Sequence, residues 1–305
     1  MSVDLSVIIV NWNTKKLLED CLSSIFKFTK GISFEVIVVD NGSTDGSRAM
    51  VKKKFPQVTL VSNKENLGFT KANNQGIKVA KGKYILLLNS DTYLIENSFP
   101  KLVAKARRLK GSTLSRVEPL GALGPLLLGE DQSIQQSVGF FPYLPQIFWW
   151  MTFIDDLPGG TILKPYHVDH NSFYRQDRKV DWVTGAAILV PKSVINRVGP
   201  LDEKIFMYGE EVEWCYRIKK AGYSICFSPV TKIIHIGRGS QKIPTKSFIG
   251  EYQGIIYFYQ KYKGRRSLQI ARLLLKMGAL LRVGVFAILG RKELVNAYVQ
   301  AFKVV

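Results

Sequence analysis

Cysteine is scarce in this chain of 305 residues, which contains three of them. Cys21, Cys215 and Cys226 form no CxxC pair, and an odd number cannot all be joined within one chain. This pattern argues against a disulfide framework and against a zinc ribbon. We therefore expect a chain that works in a reducing compartment, which favours a cytoplasmic location.

Long apolar runs are also missing from the sequence. It has no uninterrupted stretch of about 20 apolar residues, so we expect no membrane-spanning helix. The first residues lack the basic segment of a signal peptide, and the apolar run Val7 to Val10 is too short for its hydrophobic core. The sequence therefore predicts neither a secretory signal nor a transmembrane segment.

Acidic residues are outnumbered, with 24 Asp and Glu against 43 Lys and Arg and a net charge of +19. This excess indicates an anionic partner: a nucleic acid, a phosphorylated substrate or the surface of an anionic membrane. No helix-turn-helix, zinc-finger or RNA-binding aromatic signature accompanies the charge, so we expect no nucleic acid among the partners. Charge alone does not choose between the remaining two.

Buried strands and amphipathic helices alternate in the first third of the chain. Such alternation predicts right-handed βαβ crossovers and an α/β fold with a mainly parallel central sheet flanked by helices. The predicted strands are Leu5 to Val10, Phe34 to Val39, Val58 to Ser62 and Tyr84 to Leu88. The predicted helices are Lys15 to Phe28, Ser43 to Lys54 and Thr70 to Ala80.

The regularity weakens after Asp91. The aromatic, proline-broken segment Phe140 to Phe153 is interpreted as packed core or as a hydrophobic flap. The pattern elsewhere predicts strands at Gly121 to Leu128 and Trp182 to Val190, and helices at Lys101 to Lys110, Lys192 to Val198 and Glu210 to Ala221.

The last part of the chain is helical and basic. From about Lys246 onward, long apolar faces are combined with Lys and Arg, which is typical of an amphipathic helical tail on an anionic bilayer. The alternative is a tail that packs on its own domain. We therefore predict one domain at residues 1–245 and a basic amphipathic helical region at residues 246–305.

Polar residues follow each of the four predicted strands at its carboxyl end. One such segment is an ordinary turn, because Asn, Ser and Asp favour turns. Parallel strands bring their carboxyl ends to one edge of the sheet, however, and open α/β sheets bind ligands there. We therefore predict a pocket formed by Asn11, Asn13, Asp40, Asn41, Gly42, Asn66, Gly68, Asn89 and Asp91.

The residue types in this set indicate a nucleotide site. Asp40 is suited to accept hydrogen bonds from a nucleobase or a ribose hydroxyl, and Gly42 and Gly68 let the backbone approach a ligand closely. Asp91 offers a hard oxygen ligand, which suits Mg²⁺ or Mn²⁺ bridging a diphosphate.

Seven segments occur in an order that resembles the family-2 glycosyltransferases of the GT-A fold, especially the bacterial rhamnosyltransferase-like branch. The resemblance covers roughly Ser6 to Ser240. Each segment alone is weak, but seven in order make chance agreement improbable. The segments are VIIVNWN, VIVVDNGSTDGS, NLGFTKANNQG, YILLLNSDT, WVTGAAILV, FMYGEEVEWCYRIKKAGY and HIGRGS.

The resemblance implies an inverting transfer from a sugar nucleotide. Asp40 matches the position that contacts the base or ribose, and Asn66 and Gly68 lie in the nucleotide-side loop. Asp91 matches the last carboxylate of the DxD-type metal motif, whose first Asp is replaced here by Asn89. The resemblance also implies that His235, with Gly237 and Ser240 after it, completes the metal site.

The pair Glu210 and Glu211 resembles the family's Glu-Asp pair, whose second member is the general base. This implies that Glu211 is the base and that Glu210 orients the acceptor. The alternative is that these acids merely favour a helix amino terminus. Trp182, Gly185 and Ala186 match the segment that faces the donor phosphate and the acceptor.

The expected activity is therefore transfer of a sugar, with rhamnose as a candidate, from a UDP- or dTDP-sugar to a polysaccharide or lipid-linked glycan. We expect the enzyme at the inner face of the cell membrane. A sugar-nucleotide pyrophosphorylase would need a glycine-rich phosphate loop, whereas NWNTKK contains no glycine. The charge leaves open a nucleic-acid-binding protein, and Asn89 and Glu211 leave open an inactive glycosyltransferase-like protein.

Overall fold

A computed structural model of the protein places residues 2–110, 118–157, 159–237 and 245–305. The strands are β1 (Leu5–Asn11), β2 (Phe34–Asp40), β3 (Thr59–Ser62), β4 (Tyr84–Asn89), β5 (Thr92–Leu94), β6 (Leu120–Leu128), β7 (Val138–Gly139), β8 (Arg178–Val180), β9 (Trp182–Val183), β10 (Ala187–Pro191) and β11 (Ser224–His235). The helices are α1 (Lys15–Phe28), α2 (Ser47–Lys54), α3 (Phe69–Val79), α4 (Ser98–Lys110), α5 (Leu144–Thr152), α6 (Lys192–Val198), α7 (Glu210–Lys220), α8 (Thr245–Tyr262), α9 (Arg265–Ile288) and α10 (Lys292–Lys303).

The central sheet has the strand order β3-β2-β1-β4-β10-β6-β11-β5, and β8 pairs with β11 at one side. The first four strands in this order run parallel, whereas β10 runs antiparallel to both of its neighbours. Alternate residues of each strand enter two apolar clusters: Ile8 and Ile37 pack on one face, and Val7 and Val38 pack on the other. The predicted α/β class is therefore confirmed.

The register of the parallel strands aligns their carboxyl ends. Asn11 at the end of β1 pairs with Asp40 at the end of β2, and Asp40 pairs with Ser62 at the end of β3. On the other side of β1, Val10 pairs with Asn89 at the end of β4. The polar segments after these strands consequently meet at one edge of the sheet, as predicted.

The predicted single strand Trp182 to Val190 is wrong. β9 joins β7 in a separate two-stranded sheet, whereas β10 joins the central sheet, where Ala187 pairs with Leu88. Thr184, Gly185 and Ala186 connect the two strands. The chain changes sheets at this point, so the apolar run contains a break that hydrophobicity alone does not report.

The predicted helix at Ser43 begins four residues later, at Ser47. The preceding residues make side-chain bonds instead of helical ones: the backbone N–H of Thr44 donates to Asn13 Oδ1 at 2.8 Å. Gly46 has φ of 84°, a left-handed conformation that ends this turn, and Asp45 accepts from the Ser47 N–H at 3.0 Å.

The aromatic segment and the carboxyl-terminal helices pack together. α5 lies in the predicted flap segment, and its Met151 contacts α9 where Gly278 leaves room for it. Arg282 of α9 is buried, donates to the Met151 carbonyl at 2.7 Å and stacks on Phe153 at 4.2 Å. The carboxyl-terminal helices therefore pack on the rest of the protein.

The domain boundary at residue 245 stays a prediction. None of the helices in the described ranges combines the length and the apolar character that crossing a bilayer requires.

Candidate active site

A cleft of about 290 Å³ opens at the edge where the parallel strands end. From the first half of the chain, the predicted residues that line it are Asn41, Asn66, Asn89 and Asp91. From the second half they are Gly185, Ala186, Glu210, Glu211, His235 and Gly237. Segments far apart in the sequence therefore supply one cleft.

Asp91 and His235 lie side by side, each at the end of a different strand of the central sheet. Asp91 follows β4, His235 ends β11, and Oδ1 of Asp91 lies 3.4 Å from Nε2 of His235. Gln135 holds the imidazole on its other side: its Oε1 lies 2.8 Å from His235 Nδ1, and its amide nitrogen donates to the His235 carbonyl at 2.6 Å. A hydrogen bond from Nδ1–H to Gln135 leaves the lone pair of Nε2 facing the cleft.

These two side chains fit a divalent cation that is shared with a ligand. A carboxylate and an imidazole suit Mn²⁺, and a carboxylate suits Mg²⁺, with the remaining ligands supplied by phosphates and water. Within the described residues no group of three or more His, Cys, Asp and Glu side chains is arranged as a metal site. The side-chain nitrogen of Asn89 lies 3.4 Å from His235 Nε2. The position at which the family motif has its first Asp therefore lies beside Asp91 and His235. Ser240, also predicted here, lies outside the described residues.

Glu210 and Glu211 begin α7 immediately after a turn in the left-handed conformation, with φ of 73° at Tyr208 and 87° at Gly209. Burial raises the pKa of Glu210 well above its ordinary value, and the charge of Glu211 adds to the rise. Burial also raises the pKa of Glu211, as does the charge of Glu251, while backbone N–H groups, including that of Gly185, oppose the rise. The pair is therefore suited to hold one proton, with Glu210 the more strongly protonated member.

Gly185 lies against both of the acidic side chains. A Cβ at this position would be 3.7 Å from Glu210 Oε1 and 3.6 Å from the Phe69 ring. Its place between β9 and β10 explains why the break in the apolar run falls here. Trp182, predicted with it, does not line the cleft: it is buried, and its indole N–H donates to the Phe140 carbonyl at 3.1 Å.

Asn11 and Asp40 form a buried network beneath the cleft. The amide of Asn11 donates to Asp40 Oδ2 at 3.0 Å and to Ser43 Oγ at 3.0 Å. The other Asp40 oxygen accepts from the Ser43 N–H at 3.0 Å, and Asp40 has no exposed surface. Contact between the Asp40 carboxylate and a nucleotide would require these partners to move, and it stays a prediction. Asn13, in a left-handed conformation, bonds to the same loop.

Gly42 and Gly68 serve the packing of the protein's own loops. A Cβ on Gly42 would lie 2.7 Å from the Glu65 backbone, and one on Gly68 would lie 2.7 Å from the Phe206 ring. Asn41 ties these loops together by donating to Asn66 Oδ1 at 2.8 Å. Their contact with a ligand, expected from the sequence, stays a prediction.

Several lining residues were missed by sequence reasoning. Thr14 and Ser90 line the cleft with their hydroxyl oxygens 3.0 Å apart, and Tyr208 lines it beside the acidic pair. Ser90 stands between two predicted residues and was detectable on that ground. Gln135, which bonds to His235 without lining the cleft, lies in a segment with no periodic pattern, so no signal identified it.

Comparisons with known proteins show which family and which fold this chain resembles. Residues 6–123 match the family described as Glycosyl transferase family 2. The N-acetylglucosaminyl-diphospho-decaprenol L-rhamnosyltransferase of Mycobacterium tuberculosis is 29% identical over 252 residues, which cover 76% of this chain and 75% of the relative.

Two solved structures share the fold. The mannosyltransferase PcManGT from Pyrobaculum calidifontis, in complex with GDP-Man and Mn²⁺, has a TM-score of 0.59 at 16% identity, covering 100% of this chain and 86% of that chain. GalNAc-T7 with UDP, GalNAc and Mn²⁺ has a TM-score of 0.60 at 16% identity and covers 85% of this chain. This chain spans 48% of the length of that structure.

These findings support the glycosyltransferase interpretation and not the nucleic-acid-binding alternative. The order of the motifs, the strand ends that converge on the cleft and the relatives all agree. Residues 6–123 match the family-2 glycosyltransferases, the chain is similar to a rhamnosyltransferase over most of its length, and it has the GT-A fold.

Proposed function

We propose that this glycosyltransferase catalyses an inverting transfer of a sugar from a UDP- or dTDP-sugar to a polysaccharide or lipid-linked glycan. The observation that carries the proposal is that Glu211 and the pair of Asp91 and His235 line the same cleft. An inverting transfer needs one base for the acceptor and one cationic centre for the leaving diphosphate. The two parts of the cleft match these two requirements.

Glu211 is the general base in this proposal. Its carboxylate takes the proton of the acceptor hydroxyl while that oxygen bonds to the anomeric carbon, and the bond from that carbon to the diphosphate oxygen breaks. The bonding electron pair leaves with the diphosphate. Glu210 stays protonated, because burial and the charge of Glu211 raise its pKa further, and its hydroxyl is then free to orient the acceptor.

A divalent cation, Mg²⁺ or Mn²⁺, is the proposed cofactor. Asp91 and His235 would hold it, and it would neutralise charge that develops on the leaving diphosphate. Gln135 fixes the imidazole so that Nε2 points toward Asp91.

The acceptor and the sugar are proposed from the relatives. The mycobacterial relative is named for L-rhamnosyl transfer to N-acetylglucosaminyl-diphospho-decaprenol, a lipid-linked sugar. We infer that this chain acts on an acceptor of the same class, with rhamnose as the first donor sugar to test.

A lipid-linked acceptor calls for a membrane-facing surface, and we infer that α9 supplies it. One face of α9 is buried on the protein, and the opposite face is exposed and apolar from Ile270 to Ile288. Exposed cations stand at both ends of this face, Arg265 and Arg266 before it and Arg291 and Lys292 after it. The apolar face consists of Ile270, Leu273, Met277, Leu280, Leu281 and Ile288.

Apolar surface flanked by cations matches the interface of an anionic bilayer. The apolar side chains would enter the acyl boundary, and each cation near anionic headgroups would add about 1 kcal/mol. The proposed location is accordingly the inner face of the cell membrane.

A donor panel tests the proposed activity. The purified chain is incubated with UDP- and dTDP-sugars, with Mg²⁺ or Mn²⁺ and a polyprenyl-diphosphate-linked sugar, and nucleotide release and thermal stabilisation are measured. We expect metal-dependent stabilisation by one donor class and nucleotide release that requires the acceptor. Absence of a response to every sugar nucleotide would contradict the proposal.

A further inference from the structure

α8 packs closely against the turn that precedes the acidic pair. A Cβ on Gly250 would lie 2.4 Å from the Tyr208 ring, and one on Gly254 would lie 2.9 Å from the Tyr208 carbonyl oxygen. Glu251 lies on α8 between these two glycines. The two glycines therefore bring a third carboxylate close to Glu210 and Glu211.

Glu251 is paired with a histidine. Nε2 of His167 lies 2.5 Å from Glu251 Oε1, and the two side chains are 29% and 20% exposed. Aromatic rings surround the imidazole, with centroid distances of 4.4 Å to Tyr166, 5.4 Å to Trp150 and 5.4 Å to Trp182. This packing restrains the imidazole and limits water around the pair, which strengthens its electrostatic interactions.

The charges around His167 favour its protonated form. Burial alone would lower the pKa of His167, but the charge and hydrogen bond of Glu251, together with the charges of Asp155 and Glu211, outweigh burial and raise the pKa. Glu211 in turn experiences the charge of Glu251. His167, Glu251 and Glu211 are therefore electrostatically coupled.

Other titratable groups surround these three residues. Tyr166 neighbours His167 in sequence and senses both Glu251 and Glu211. The remaining groups are Glu210 and Tyr208 beside Glu211, Tyr252 and Tyr298 near Glu251, and Arg282 opposite Asp155. Among them Arg282 carries a permanent positive charge, and it faces Asp155.

We propose that His167 and Glu251 are positioning residues that set the charge of the general base. The His167 imidazolium neutralises Glu251, and Glu211 can then remain ionised beside a third carboxylate. Without the imidazolium, the uncompensated charge of Glu251 drives a proton onto Glu211 and removes the base. The inference depends on the base role of Glu211 proposed above, but its electrostatic part can be measured without turnover.

The test compares the titration of the Glu211 carboxyl in three proteins: the unchanged full chain, His167→Gln and Glu251→Gln. The chain is labelled with ¹³Cδ-glutamate, and the Glu211 signal is assigned from the spectrum of Glu211→Gln. We expect His167→Gln to raise the pKa of Glu211 and Glu251→Gln to lower it, each by about one unit. The double variant should resemble Glu251→Gln, because His167 without Glu251 loses the partner that favours its protonated form, and removing a neutral imidazole changes little. His170→Gln is the matched control, and it should leave the Glu211 titration unchanged.

Opposite shifts are the result that a purely structural role does not produce. Equal titration in all variants, or shifts of the same sign in both, would overturn the proposal. If one variant does not fold, the direction of the shift in the other one decides.

Turnover separates this inference from the proposed function. Where transfer is measurable, the acid limb of the kcat/KM profile should move to higher pH in His167→Gln and to lower pH in Glu251→Gln. Opposite carboxyl shifts without transfer by any protein would support the electrostatic coupling and contradict the proposed activity. Transfer without any such shifts would support the proposed activity and contradict the electrostatic coupling.

Discussion

Nε2 of His235 and Oδ1 of Asp91 lie 3.4 Å apart, although the two residues are far apart in the sequence. β11 brings His235 beside β5, where it pairs with Thr92 directly after Asp91. This pairing is the reason that a carboxylate and an imidazole can act on one cation.

The Gln135 side chain should control metal affinity without being a ligand. Gln135→Ala frees the His235 ring, and the Mn²⁺ concentration needed for half-maximal transfer should rise by about 10- to 100-fold. Asp91→Ala should abolish metal dependence. Gln136→Ala changes an exposed neighbour of the same type and should leave the requirement unaltered. An equal metal requirement in Gln135→Ala and Gln136→Ala would show that Gln135 does not act on the site.

The Glu210 carboxyl should lower the free energy of unfolding near neutral pH. Its pKa is raised in the folded protein, so its stabilising contribution is complete below the unfolded pKa and is lost as pH rises through the folded pKa. Glu210→Gln should therefore unfold at a higher temperature than the unchanged chain at pH 8, with a gain of about 1–3 kcal/mol, and the gain should shrink toward pH 5. Thermal unfolding at both pH values measures it. A gain independent of pH would rule out the ionisation of Glu210 as its cause.

One methyl group added where α8 contacts the turn at Tyr208 and Gly209 should lower the activity. Gly254→Ala places a Cβ against the Tyr208 carbonyl oxygen, so the turn that carries Glu210 and Glu211 must shift. We expect transfer to fall by about 10- to 100-fold in a protein that still folds, because small displacements of a base are costly.

Gly284→Ala is the matched control for this change. Gly284 is a helical glycine of α9, and a methyl group placed on it would meet open space. The substitution should therefore keep activity and add about 0.5–1 kcal/mol of stability. Equal activity in both alanine variants would show that the contact of α8 with Tyr208 does not affect transfer.

The exposed face of α9 should bind anionic vesicles. The double variant Leu273→Gln with Met277→Gln keeps the charge but removes apolar surface, and we expect its binding to phosphatidylglycerol vesicles to fall by about tenfold or more. Val79→Gln alters an exposed apolar residue on α3 and should bind normally. Co-sedimentation measures binding, and size-exclusion chromatography reports whether the face joins two copies. Unchanged vesicle binding, or a dimer that the double variant dissociates, would contradict the membrane proposal.

Local sequence patterns predicted the strands and the edge where the site lies. The run Tyr84 to Leu88 is apolar throughout because both of its faces are buried, and this is visible without a structure. Parallel pairing then brings Asn89 and Asp91 to the edge that also carries Asn41. The part of the cleft formed by the first half of the chain followed from these two rules together, whereas Glu211 and His235 were expected from the family resemblance.

Contacts between distant segments had no such signal. Nothing in the sequence around Gly250 and Gly254 indicates that they pack on Tyr208, because a small residue in a helix does not reveal its partner. The break at Gly185 was hidden for a related reason: the residues on both sides of it are buried, although they belong to different sheets.

The base role of Glu211 is tested most directly by Glu211→Gln, with donor affinity and transfer rate measured on the same protein. If Glu211 is the base, the donor dissociation constant changes less than about threefold, while transfer to the acceptor falls by about 10²- to 10⁴-fold. Retained transfer, or a loss of donor binding as large as the loss of transfer, would contradict this role.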